Sequence, residues 1–236
     1  MRIRHVVAGI TVVAGGLLLT GCVRFGHDVV NDQATIGEAI TEVRFANDSG
    51  DVRITVGDTT EVRRTVRYDG EQPGVTHRVD GSALIVDACP IGDCSIDYEL
   101  TVPAGARISG HVDSGDIELT GVASANVESE SGGITVRDVD GEVNASVQSG
   151  NVELTGIGGA VVATAESGDV QVGLVAKQGV SVETQSGNID VSVPAGKYDV
   201  TASTESGNLD NSVGDDPSGL PIEARAQSGN VTISAT

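Results

Sequence analysis

Aromatic residues are nearly missing from this chain of 236 residues, which holds two Phe, three Tyr and no Trp. A core without rings must be thin, and a surface without them has no platforms for stacking sugars or bases. Basic residues are scarce as well: 14 Lys and Arg stand against 34 Asp and Glu, and Lys is limited to Lys177 and Lys197. Setting aside Arg2 and Arg4 leaves 12 against 34, a formal charge of −22. Such a surface repels other anions, which excludes nucleic acid and direct adsorption to anionic lipid. It admits cationic peptides, basic protein patches and divalent ions. Catalytic signatures are also lacking. There is no G-x-S-x-G elbow, no H-E-x-x-H pair and no phosphate-binding loop. Among the four histidines, His5, His27, His77 and His111, none has a partner nearby in sequence, and His77 and His111 read as surface residues.

Long apolar runs are confined to the start. Arg2 and Arg4 precede an apolar stretch from Val6 to Leu19, too short and wrongly flanked for a membrane span. Leu19-Thr20-Gly21-Cys22 follows. This order of basic start, apolar middle, small residues and Cys resembles a bacterial lipoprotein signal. The resemblance implies a signal peptide over residues 1–21 and thioether-linked lipid on Cys22, which becomes the first mature residue. Two or more acyl chains hold a protein stably on a membrane. Residues 22–38 then read as lipid anchor and tether, because they are polar and without clear periodicity. The two other cysteines, Cys89 and Cys94, bracket Pro-Ile-Gly-Asp. In an exported protein a disulfide is the expectation. A metal pair would need further ligands, and the gap is not the C-x-x-C redox spacing.

What the chain does have is a repeat. Ser-Gly followed by Asp, Asn or Gly begins at Ser114, Ser131, Ser149, Ser167, Ser186, Ser206 and Ser228, at spacings of 17, 18, 18, 19, 20 and 22 residues. A short period with drift marks stacked coils. Aliphatic residues recur two and four positions after each Gly, as in Val152 and Leu154, with Asn211 the exception in the second column. Before each Ser, alternate positions are aliphatic or small, as in Val143, Ala145 and Val147. Period-2 alternation on both sides of a Gly turn gives two short strands per coil. The chain therefore reads as an all-β, single-chain β-solenoid, flattened and narrow, with residues 106–236 forming about seven regular coils. At roughly 4.8 Å per coil these make a rod on the order of 35 Å long. The motif serines read as turn residues whose hydroxyls bond nearby backbone, not as nucleophiles.

The residue before each Ser reads Asp113, Glu130, Gln148, Glu166, Gln185, Glu205 and Gln227. Two readings compete. Alternation of carboxylate with amide relieves repulsion on a solvated face and permits amide-to-carboxylate hydrogen bonds. Alternatively, Glu130, Glu166 and Glu205 form an acidic ladder on alternate coils for a basic protein or cationic peptide. Structural calcium on turn carboxylates such as Asp116 and Asp169 is a further reading, although the nonapeptide pattern of calcium-bound β-rolls is absent.

Residues 39–105 alternate without a regular period. Strands are expected at Val43–Phe45, Val52–Val56, Val62–Val66, Leu84–Val86 and Ile96–Val102, with turns at Asp69-Gly70 and Asp80-Gly81. A further Ser49-Gly50-Asp51 makes this segment an irregular β-cap of larger coils, with a separate small β-domain as the competing reading. Glu42-Val-Arg-Phe, Ser49-Gly-Asp-Val-Arg-Ile, the Tyr98–Pro103 strand and the serial Ser-Gly units together resemble the bacterial β-strand-repeat family of unknown function often labelled putative adhesins. The resemblance spans roughly residues 40–236. It implies a β-solenoid and carries no catalytic residues, and some of its members are envelope-stress accessory proteins. Parallel β-helix enzymes that cleave acidic polysaccharides generally use basic groups in a long groove, which this composition does not offer. The sequence thus points to a non-catalytic binding or scaffold protein without cofactor, lipid-anchored on the extracytoplasmic face of a bacterial membrane. The alternatives are a sensor or sequestering module for cationic peptides and a structural spacer.

Overall fold

The computed structural model describes residues 27–236, and within them every regular element is a strand. The expected all-β solenoid is what the chain forms. Strands β1 (Asp28–Ile36), β2 (Glu42–Ser49), β3 (Val52–Val56), β4 (Thr60–Tyr68), β5 (His77–Asp80), β6 (Ala83–Val86) and β7 (Cys94–Val102) make up the N-terminal part. Each regular coil then contributes a pair. They are β8 (Arg107–Ser114) with β9 (Ile117–Thr120), β10 (Ser124–Ser131) with β11 (Ile134–Val139), and β12 (Val143–Ser149) with β13 (Val152–Ile157). Next come β14 (Val161–Ser167) with β15 (Val170–Leu174), and β16 (Val180–Ser186) with β17 (Ile189–Val193). The last are β18 (Tyr198–Ser206) with β19 (Leu209–Asn211), and β20 (Leu220–Ser228) with β21 (Val231–Ala235). The strand before each Ser-Gly turn joins one sheet and the strand after it joins a second, so the chain winds between two faces.

Stacking is parallel and in register. Ser131, Ser149, Ser167 and Ser186 align in one row, and Val152, Val170 and Ile189 in one apolar column. Inward residues of both sheets are buried and outward ones exposed or half-exposed, which is the alternation the repeat encodes. The core is thin because its columns are Val, Ile, Leu and Ala. Where Phe45 enters, its partner across the ladder is Gly110, and a Cβ there would lie 2.5 Å from the ring.

The corner explains the motif. The Gly N–H donates to the Ser carbonyl of the next coil, as Gly115 does to Ser131 and Gly132 to Ser149. It is the Ser carbonyl, not the hydroxyl, that enters this ladder. Gly150 sits at φ 153°, and a Cβ on it would lie 2.1 Å from the carbonyl oxygen of Gly132. The residue after Gly supplies a side-chain oxygen. Asp97 Oδ1 accepts from Asp51 N–H, Asp51 Oδ1 from Asp116 N–H, and Asp116 Oδ1 from Gly133 N–H. Past Gly133 the ladder resumes, with Asn151 accepting from Asp169, Asp169 from Asn188, Asn188 from Asn230 and Asn230 from Asn208. Asp and Asn share this position because both present Oδ1 to the neighbouring coil.

Three expectations are corrected. Residues 28–36, assigned to the tether, form β1, which pairs antiparallel with β4 from Asp28↔Tyr68 to Ile36↔Thr60. Its half-buried positions hold Val30, Asp32, Ala34 and Ile36, and the charge at Asp32 hides the alternation. The N-terminal part is not a run of coils alone. The β2–β3 coil is regular and stacks on β8–β9, whereas β1, β4 and β5 add antiparallel strands outside it. Finally, spatial order departs from chain order at both ends. The β6–β7 coil lies outside β2–β3, and β20–β21 inserts between β16–β17 and β18–β19. The coil containing Asn211 is therefore outermost, which is why its column tolerates a polar residue.

Gly150→Ala should lower stability by roughly 2–4 kcal/mol, since both backbone strain and a steric clash oppose it. Gly37→Ala, where nothing lies within 4 Å of a new Cβ, serves as the control in the same thermal melts. Gly133→Asn should raise stability by about 1 kcal/mol, because it restores a side-chain oxygen facing Asn151 N–H.

Candidate functional site

The acidic row lies where the turns put it, at the edge of the sheet containing β10, β12, β14 and β16. Glu130, Gln148, Glu166 and Gln185 are exposed on successive coils. Glu205 is not the next acidic member. Ser186 pairs with Ser228 and Ser228 with Ser206, so the row runs Glu166, Gln185, Gln227, Glu205 and the alternation breaks. Among the described residues no hydrogen bond joins the members of this row. The amide-to-carboxylate contact forms one column over, where Asn188 Nδ2 donates to Asp169 Oδ1 at 3.1 Å. The structure thus brings Glu130 and Glu166 together on alternate coils and leaves Glu205 at the far end. Among the described residues, no group of three or more His, Cys, Asp or Glu is arranged to hold a metal ion.

Cys89, in the loop between β6 and β7, and Cys94, the first residue of β7, are joined as a disulfide with Cα atoms 6.0 Å apart. Cys22 lies outside the described residues.

A concavity lies elsewhere, at the N-terminal end. A groove of about 430 Å³ runs over β1, β4, β7 and β3, lined by Gln33, Arg53, Arg63, Asp97, Tyr98 and Glu99 among others. Arg63, Glu99 and Arg53 fall in one row across the sheet by register. Most of the guanidinium groups along it are engaged. Arg53 makes a paired contact with Glu118 at 2.8 and 2.9 Å, Arg67 meets Asp97 at 2.6 Å, and Arg63 meets Glu61 at 3.1 Å. The hydrogen bond from Arg53 holds the Glu118 carboxyl below its ordinary value.

Beneath the groove lies a buried polar network. Arg64, 5% exposed, donates from Nε and Nη2 to both oxygens of Asp32 at 2.7 Å, and from Nη1 to Gly74 O and Thr76 Oγ1. Thr76 Oγ1 meets Tyr98 OH, which donates to Asp87 O at 2.7 Å. The charge of Arg64 is thus compensated and every arm of the guanidinium is used, the condition for tolerating a buried cation. Its effect is to fasten β1, through Asp32, to the cap. His77, expected at the surface, is half-buried with Nδ1 enclosed and unpaired. Burial first and the Arg64 charge second pull its pKa down, which favours the neutral imidazole. Net charge alone gives no sign of this end of the molecule. The clue lies in position, since seven of the 14 basic residues fall between Arg44 and Arg107.

The profile of the Toastrack DUF4097 family matches residues 39–234. The chain belongs to that family. Solved structures resembling this Toastrack chain include a putative adhesin from Bacteroides fragilis, at 14% identity and a TM-score of 0.52, with 89% of this chain and 97% of that one covered. Another is a putative cell adhesion protein from Clostridium sporogenes, at 12% identity and a TM-score of 0.39, with 89% and 100% covered. The likeness to the Bacteroides protein is one of fold. No curated protein matches the chain. The family match begins at residue 39, after β1, so the Asp32–Arg64 clasp joins a strand outside the matched region to the body within it.

Burial pushes the Tyr98 hydroxyl up to about 12. A raised folded-state value means that the stabilisation is intact below the unfolded value near 10 and is lost as pH rises through 12. About 2–3 kcal/mol should disappear over that window. Tyr98→Phe should shrink the alkaline loss, read as melting temperature against pH. Burial also raises Tyr198 at the opposite end, so part of the loss should remain.

Proposed function

We propose that this Toastrack protein is a non-catalytic binding or scaffold protein of the bacterial cell envelope, held by lipid on Cys22 at the extracytoplasmic face of the membrane. The observation that carries the reading is the docking of β1. The first described strand starts at Asp28, and in sequence only residues 23–27 separate it from Cys22. Even fully extended, that link spans at most about 20 Å. The N-terminal end, with the clasp and the disulfide, would stand next to the lipid. The far end would project by roughly 4.8 Å for each stacked coil. A non-catalytic role is supported by the surface, where rows of Asp, Glu, Asn, Gln, Ser and Thr face solvent and the arginines lining the N-terminal groove are paired with carboxylates.

The partners that fit are basic. The charge supports a basic protein or cationic peptide and opposes nucleic acid. A sequestering role for cationic peptides is the second reading, supported by Glu130 and Glu166 on alternate coils beside Asp169.

Mass spectrometry of the mature N-terminus should find acylated Cys22, and Cys22→Ser should release or misprocess the protein. An unmodified Cys22 ends the anchoring claim. In protein reconstituted into vesicles, a fluorophore at Glu38→Cys should transfer energy strongly to headgroup acceptors, and one at Asp210→Cys weakly. Equal transfer from both would contradict the upright arrangement. Crosslinked envelopes probed with the mature protein should then yield basic partners that salt displaces.

A further inference from the structure

At the end opposite the clasp the solenoid is open. Among the described residues, β18 closes its sheet with no strand on its outer side, and β19 does the same for the other sheet. The inward residues Val200, Ala202 and Thr204, buried in the equivalent columns of the inner coils, are half-exposed here, and Leu209 is 48% exposed. The loop over residues 212–219 covers only part of this opening. Asp216 N–H donates to Tyr198 O and Asp215 Oδ1 accepts from Val200 N–H, while Val213 packs against the core. Those two bonds identify the face of β18 that points away from β20. By the two-residue period, Ala202 and Thr204 present their N–H and C=O groups on that same free face. Free strand edges in natural proteins are usually blunted by Lys, Pro or a bulge. The stretch from Val200 to Ser206 has none of these among its residues, Val-Thr-Ala-Ser-Thr-Glu-Ser.

Charge says what could pair with it. Residues 198–219 contain Asp199, Glu205, Asp210, Asp215 and Asp216 and no Lys or Arg. The adjoining Lys197 is held by Asp216 at 2.7 Å, and Arg225 on β20 by Glu223 at 2.9 Å. A second copy meeting this end with its own would set these carboxylates against themselves. On the same sheet the opposite end of the molecule offers only the four-residue β5. The geometry points to a docking edge for an extended polypeptide segment in which basic and apolar residues alternate. Such a segment would add to β18 as a further strand, lay its apolar residues over Val200, Ala202 and Leu209, and turn its basic ones toward Asp199 and Glu205. This deepens the binding role proposed above and rests on it. It places the contact at the end of the rod, apart from the Glu130–Glu166 row.

A fluorescent seven-residue peptide alternating Lys and Val is the probe, with its Glu/Val counterpart as control, titrated against the mature protein without lipid. The Lys/Val peptide should bind and the Glu/Val peptide should not. Binding should weaken with salt and should protect the amides of Ala202 and Thr204 from hydrogen exchange. Ala202→Pro deletes one outward donor without touching the ladder to β20, and should weaken binding at least tenfold, about 1.4 kcal/mol, with little change in melting temperature. Should Ala202→Pro fail to fold, Asp199→Asn with Glu205→Gln tests the same edge, and should weaken binding and reduce amide protection together. Equal binding of both peptides, or binding that leaves those two amides unprotected, overturns the proposal. So does self-association of the protein alone, in sedimentation, that Ala202→Pro abolishes. Envelope partners captured equally by wild type and Ala202→Pro would overturn the edge while sparing the wider binding role.

Discussion

The structure depends on how closely the backbone of one coil approaches the next at the Ser-Gly corner. There the glycine Cα of each coil faces the glycine carbonyl of its neighbour so tightly that a side chain would lie within about 2 Å of that oxygen, as at Gly168, Gly187 and Gly229. Only Gly combines that approach with φ between 139° and 157°, as at these three positions. The corner fixes the register of both strands that leave it, and with a two-residue period register decides which side chains are buried. The apolar columns, the thin core and the exposed rows all follow. The residue after Gly adds a side-chain oxygen to each step, and inward Thr184 and Thr204 hydrogen-bond to the carbonyls of Gly168 and Gly229. A corner that must exclude side chains is thus left with few unsatisfied backbone groups.

What repeats was legible in the sequence, because the corner constraint writes the same residues at every turn. Val152, Val170 and Ile189 could be placed in one column without coordinates, and so could the strands on either side of each Gly. The order of coils was not legible. A repeat states that units stack and does not state which unit stacks on which. Two traces of the inversion at the C-terminal end were visible: Asn211 where other coils carry an aliphatic residue, and the longest spacing, 22 residues, between Ser206 and Ser228. The added length is spent in the loop that returns the chain past β18. Strand β1 escaped for a different reason. Asp32 sits at an inward position, and its alternation makes sense only with Arg64, 32 residues later, placed opposite. An ion pair that brings a carboxylate onto a buried arginine is a tertiary fact, invisible to periodicity.

The inversion places β21 between two neighbours. Strand β21 pairs with β17 on one side and β19 on the other, and Thr236 N–H donates to Val193 O. Strand β21 is therefore an interior strand of its sheet, and the outermost coil, β18–β19, is joined to neighbouring coils by chain on both sides. Placing β20 beside β16 pairs Val180 with Ile222 rather than with the next coil in chain order, a longer loop closure than the Val143↔Val161 type of simple winding and one expected to slow folding.

The two ends of the rod solve the same problem in opposite ways. A stack of coils ends in two open edges, and each open edge can recruit another strand. At the N-terminal end the chain uses antiparallel strands, a disulfide and the pairing of buried Arg64 with half-buried Asp32, all of which add covering. At the C-terminal end it uses one short loop and charge. Covering blocks every partner alike. Charge discriminates: carboxylates at Asp199, Glu205 and Asp210 oppose another copy of the same acidic protein yet leave the backbone of Ala202 and Thr204 free. An edge left open but guarded by one sign of charge is selective by construction, and that selectivity separates a rod that merely spaces from one that can bind.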